Sequence, residues 1–186
     1  MANQATNSPR TETHWSAIKV YLRELGTDGL IDLIHDLYRS SPDVRLGLQA
    51  RFFPTEDLIN GIRKRIILQV YPDPLGSRRI QVREALNMIR KFHGISGDTH
   101  SATAMLLDGI EAGTAQARDL GVEDDAYFNG LSAMMKMLVS LMHELSRPTR
   151  RVIGNRLKRI YENGKDVGWG HSDELRKTLK EVRNAC

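Results

Sequence analysis

The chain has 186 residues, 40% apolar and 27% charged, which suits one globular domain large enough to bury a core. Its lone cysteine, Cys186, excludes an intrachain disulfide and any cysteine-built zinc site within one chain. The net charge is +4, but it is unevenly spread: 14 Lys/Arg against 10 Asp/Glu over 1–94, 2 against 8 over 95–145, and 11 against 5 over 146–186. An acidic middle flanked by basic ends can be neutralised by its own neighbours, so the overall charge is weak evidence for an external polyanion. No apolar run reaches the roughly 20 residues of a membrane span. The polar start MANQATNSPRTETH lacks the apolar stretch of a secretory signal. The expected location is the cytoplasm, with no membrane partner.

Residues 1–12 are polar and aperiodic and read as a disordered tail, leaving 13–186 as a single helical domain. The first helix is expected from Thr13 to Leu25, with Trp15, Ile18, Tyr21, Leu22 and Leu25 on one face and Gly26 as its stop. Thr27 is placed to cap a second helix bearing Leu30, Ile31, Leu33, Ile34, Leu37 and Tyr38, which Ser40-Ser41-Pro42 ends. Pro42 also suits the start of a short third helix with Val44, Leu46 and Leu48. Thr55 caps a fourth, whose face is Leu58, Ile59, Ile62, Ile66 and Val70. Tyr71-Pro72-Asp73-Pro74-Leu75-Gly76 is a loop and a candidate joint between helical layers.

A fifth helix is expected over Arg78–His93, with Val82, Ala85, Leu86, Ile89 and His93 inward, broken by Gly94–Gly97. The sixth, Asp98 to Leu120, is rich in small residues, which let a neighbouring backbone come close. The seventh, Asp124 to Leu145, is apolar around most of its circumference and is expected at the centre of the core. An eighth follows Pro148 and stops at Asn163-Gly164. A glycine-rich turn, 165–171, leads to a ninth from Ser172. No segment shows the alternation of a strand. The expected fold is all-α: about nine helices in antiparallel hairpins, as an irregular bundle or a HEAT-like α–α superhelix.

Catalytic chemistry finds little support. His143-Glu144 begins a zinc-protease pattern, but Arg147 stands where its second histidine belongs. No Glu-x-x-His pair suits a di-iron bundle. Gly94-Ile95-Ser96-Gly97 has neither the lysine nor the preceding strand of a phosphate loop. Glu123-Asp124-Asp125 sits where a helix begins, and acids there favour the helix dipole. No catalytic, metal-binding or cofactor-binding residues are assigned, and no cofactor is expected.

The candidate interaction residues are basic. Arg79, Arg83 and Arg90 fall within roughly 40 degrees on a helical wheel, and Arg151, Lys158 and Arg159 lie on the outer side of the eighth helix. Such faces can bind phosphates. They can equally be solvated surface, with Lys158 pairing to Glu162 one turn on. Trp169, between two glycines, is a candidate binding anchor or a ring filling a gap between the last two helices.

Two stretches carry a resemblance. One is Leu22-Arg23-Glu24-Leu25 through Leu30-Ile31-Asp32-Leu33-Ile34 to Leu37-Tyr38, then Pro42 and Leu48. The other is Gly168-Trp169-Gly170-His171-Ser172-Asp173-Glu174-Leu175. Together they resemble an uncharacterised bacterial family, a domain of unknown function, all-helical and about this long. The pattern is also similar to HEAT-like helical regions beside SWIM-type zinc fingers, although one cysteine cannot build such a finger. The resemblance implies no catalytic residues.

The leading functional expectation is a non-enzymatic helical scaffold that binds a protein partner or itself. A nucleic-acid-associated protein using the basic helix faces is the alternative, and a small-molecule enzyme a third class. An exposed apolar patch favours the first, a single basic face the second, and a deep polar cleft the third.

Overall fold

The computed structural model describes residues 10–73, 75–76 and 79–185. Among them the chain is all-α, with nine α-helices: α1 (Arg10–Glu24), α2 (Gly26–Ser40), α3 (Pro42–Phe52), α4 (Glu56–Val70), α5 (Val82–Ser96), α6 (Thr99–Leu120), α7 (Asp125–Leu141), α8 (Arg147–Gly164) and α9 (His171–Asn184). One short 3₁₀ turn, Met142–Glu144, follows α7. The tail expected over 1–12 lies outside the described residues except for its last three, which open α1. The chain divides into two compact units, Met1–Arg45 and Leu46–Cys186.

In the first unit, α1 and α2 are joined by Leu25 alone. Gly26 takes a left-handed φ of +66°, which glycine adopts at no steric cost and which permits so tight a turn. Thr27 therefore lies inside α2 and does not cap it. The carbonyls at the end of α2 are closed from downstream: Arg45 donates to Tyr38 O at 3.2 Å and to Arg39 O at 3.1 Å. No residue from His14 to Arg45 is buried, although both helices carry the apolar stripes expected of them.

The second unit is built around α6, which packs against α4, α5, α7 and α8. The expected centre, α7, is enclosed along its Leu131–Met135–Leu138–Met142 face, and Leu138 is fully buried. Yet α6 buries 13 residues to α7's 8. Side-chain size explains the exchange. A Cβ on Gly113 would sit 2.4 Å from Leu131 Cδ2, and one on Gly109 would sit 2.9 Å from Met134 Sδ. Small residues on α6 admit the large ones of α7 and leave room for neighbours on its other sides.

Several boundaries move. Helix α5 starts at Val82 and passes through Gly94 to stop at Gly97, whose φ is +69°. Its inward aromatic is Phe92, with His93 half-buried beside it. In α3 the buried residues are Gly47 and Ala50, not Val44, Leu46 and Leu48. Gly47 lies so close to Ile95 that a Cβ would meet its side chain at 2.3 Å. Of the two expected caps, Thr55 forms, its Oγ1 accepting from Leu58 N, and Thr27 does not; Asp98 Oδ1 caps α6 by accepting from Ser101 N, and Asp124 Oδ1 caps α7 by accepting from Ala126 N and Tyr127 N.

Candidate functional site

The acidic middle of the chain is neutralised from both basic flanks. Asp108, on α6, is 4% exposed and accepts two hydrogen bonds from Arg63 of α4, at 2.6 and 3.1 Å. Arg156 of α8 donates to Asp108 at 2.7 Å and also grips Glu111. Two guanidinium groups thus surround one buried carboxylate, the arrangement that makes a charge tolerable away from water. Neither Asp108 nor Arg156 stands out in sequence, because their separation of 48 residues is bridged only by the packing of α6 on α8. This cluster clamps three helices.

The basic residues singled out in sequence separate into three places. Arg79 precedes α5 and so shares no helix face with Arg83 and Arg90. Arg83 and Arg90 line a cleft of about 590 Å³ between the start of α5 and the start of α7. Glu84 and Asp124 share the cleft, and its floor includes Val82, Leu86 and Gly130. Asp124 is occupied in capping α7, and the buried Tyr127 hydroxyl donates to Gly113 O at 2.7 Å. Burial holds that phenol well above its ordinary pKa. Asp124 and Tyr127 are thus spent on the fold, and among the described residues that line the cleft there is no nucleophile–base pair.

A different picture holds on α8 and α9, which run antiparallel: Gly154 meets Val182, and Gly164 meets Leu175. Arg147, Arg151 and Lys158 fall within roughly 40 degrees on α8, and Arg176, Lys180 and Arg183 form a second stripe on α9. The stripes border two open grooves. One, about 670 Å³, is lined by Arg147, Arg151, Arg183 and Asn155. The other, about 340 Å³, is lined by Lys158, Arg176, Lys180 and Tyr161, with Glu162 its one carboxylate. Arg183 belongs to both. Among the described residues only Arg176 of these six cations has an acidic partner, Asp173 at 2.6 Å. Lys158 and Glu162 form no ion pair, contrary to their spacing. Arg159, 100 degrees around from Lys158, lines neither groove. The α9 half of the surface is not among the expected sites, because its cations join those of α8 only through the packing of the two helices.

Trp169 does not fill a gap between the last two helices. It is 53% exposed and stacks on Phe128 of α7, with ring centroids 6.0 Å apart and planes 11° from parallel. Its φ of +58° is uncommon for a side chain of this size. Next to it, His171 is buried at the first position of α9. Thr114 Oγ1 spends its proton on Ile110 O at 2.8 Å, so it accepts from His171 Nε2 at 3.0 Å. Burial is the main cause that drives the imidazole pKa down to about 4, against a smaller opposing pull from Glu174. The ring is a neutral structural donor.

Among the described residues no three or more His, Cys, Asp or Glu side chains gather as metal ligands. No helix there is long and apolar enough to cross a membrane. Compared with known proteins, the chain matches no family model, no curated protein and no solved structure. What is established is an all-helical fold among the described residues.

Proposed function

We propose that the protein is a non-enzymatic helical scaffold that associates with a second copy of itself through its N-terminal hairpin. One observation carries this reading: α2 presents Ile31, Leu33, Ile34 and Leu37 exposed and buries no residue at all. Trp15, Ile18 and Tyr21 of α1 and the connecting Leu25 are exposed with them. Ile31 and Tyr21 are 58% and 71% accessible. A unit of about 40 residues seldom holds its fold without a staple or a partner. A standard interface takes roughly 800 Å² from each partner, and two stripes of exposed large apolar side chains on a short hairpin are what such an interface is built from. Two hairpins with helices of matched length, 15 residues each, suit a four-helix bundle with a twofold axis. We extend the same reading to a HEAT-like, cytoplasmic scaffold of the bacterial helical type. It is supported by the leucine pattern from Leu22 to Leu48 and the one-residue connections at Leu25 and Ser41.

Sedimentation equilibrium of the full chain over a concentration series tests the proposal. A dimer is expected. The double substitution Ile31→Asp with Ile34→Asp should give a monomer of unchanged helicity in the second unit. A wild-type chain that stays monomeric throughout rejects self-association and leaves the hairpin to a different protein.

A further inference from the structure

The geometry points to a second surface with a different ligand: the paired grooves between α8 and α9 hold a single strand of nucleic acid by its phosphate backbone. This inference does not depend on the hairpin. Six cations, Arg147, Arg151 and Lys158 on α8 and Arg176, Lys180 and Arg183 on α9, line two neighbouring grooves that share Arg183. Along α8 they span 11 residues, roughly 17 Å. Elsewhere in the unit, half-buried arginines are matched to an acid: Arg63 and Arg156 both close on Asp108. Here five of six cations are left without an acid among the described residues, and the grooves hold only Glu162 against them. Like charges held together without a counterion repel, so the surface favours a polyanion that relieves them.

Three features choose the occupant. Four of the six cations are arginines, whose planar fork binds phosphate through two parallel hydrogen bonds. Cations on both sides of a depression suit one strand lying within it, whereas a duplex would rest on the rims. Tyr161 lines the second groove beside Lys158 and offers a ring against which a base can stack, something an acidic peptide would not use. The grooves contain no array of amides or carboxylates to read base edges, so binding is expected to be indifferent to sequence.

The test is fluorescence anisotropy with a labelled, mixed-sequence single-stranded oligonucleotide and the full chain. If about four phosphates are neutralised, raising salt from about 50 to about 200 mM should weaken binding roughly fiftyfold, from a slope near −0.7 per phosphate. Arg151→Glu with Arg183→Glu, which breaks no ion pair, should weaken binding at least tenfold at the lower salt without changing the circular dichroism or melting temperature. Arg159→Glu, outside the grooves, should leave it nearly unchanged. Absence of salt-dependent binding overturns the assignment. So does equal damage from Arg159→Glu, which would make the attraction a property of net charge. Polyglutamate displacing the strand at equal charge concentration would reassign the groove to an acidic protein. Tighter binding to a duplex would reject the single strand.

Discussion

Helix α2 and helix α5 have nearly the same kind of sequence and opposite fates. Each has 15 residues, a strong apolar stripe and a charged opposite side. Helix α5 buries Val82, Ala85, Leu86, Ile89 and Phe92, while α2 buries nothing. Amphipathicity reports which side of a helix is apolar; what covers that side is decided by residues elsewhere in the chain. For α5 the cover is α4, α6 and α7. For α2 it is absent within its own unit, and a second copy is the proposed substitute.

The contrast can be broken by substitutions on either side of it. Leu138→Ala, in the enclosed unit, should cost about 2–5 kcal/mol, the lost transfer energy plus the cavity left behind. Chemical denaturation followed by circular dichroism measures it, and an unchanged midpoint would mean that α7 is not part of the core.

Acid should act next most strongly, and also in the enclosed unit. His171 is neutral when folded, with a pKa near 4, and an unfolded histidine titrates near 6.5. Between those values the unfolded chain binds the extra proton. The stabilisation is complete above pH 6.5 and is lost as pH falls towards 4, by an amount on the order of 3 kcal/mol at most. His171→Gln keeps a donor and removes the titration, so the difference in stability between wild type and variant should vary with pH in that window. A pH-independent difference would place the imidazole in water.

The smallest effect belongs to the hairpin. Ile31→Ser should change the unfolding of the second unit by no more than about 0.5 kcal/mol, since exposed positions seldom matter beyond that. If it instead lowers the midpoint only at concentrations where the chain is dimeric, the contrast between the two units sharpens into a difference between inner and intermolecular burial.

Much of the fold was legible from the chain. Stripes such as Ile62–Ile66–Val70 and a cap such as Thr55 are local, and they lie where periodicity and hydrogen-bonding chemistry put them. Ends were less legible. Gly94 looks like a stop, but helix α5 continues to Gly97, because a glycine in a helix costs only about 1 kcal/mol. Hydrophobicity points to α7 as the centre, but size decides it: Gly109 and Gly113 mark α6 as the more enclosed helix by what they leave out. The basic grooves were half legible. Arg151 and Lys158 could be found on α8, but Arg176, Lys180 and Arg183 join them only through the antiparallel pairing of α8 with α9.

The stacking of Trp169 on Phe128 has a spectroscopic consequence. The chain has two tryptophans, and each unit contains one, Trp15 in the first and Trp169 in the second. Each indole is partly open to water, so its emission colour follows whatever covers or uncovers it. With Trp15→Phe, light comes only from the turn beside His171, and acidification can be watched there. With Trp169→Phe, light comes only from the hairpin, and a blue shift on raising concentration would time its burial independently of any event in the larger unit.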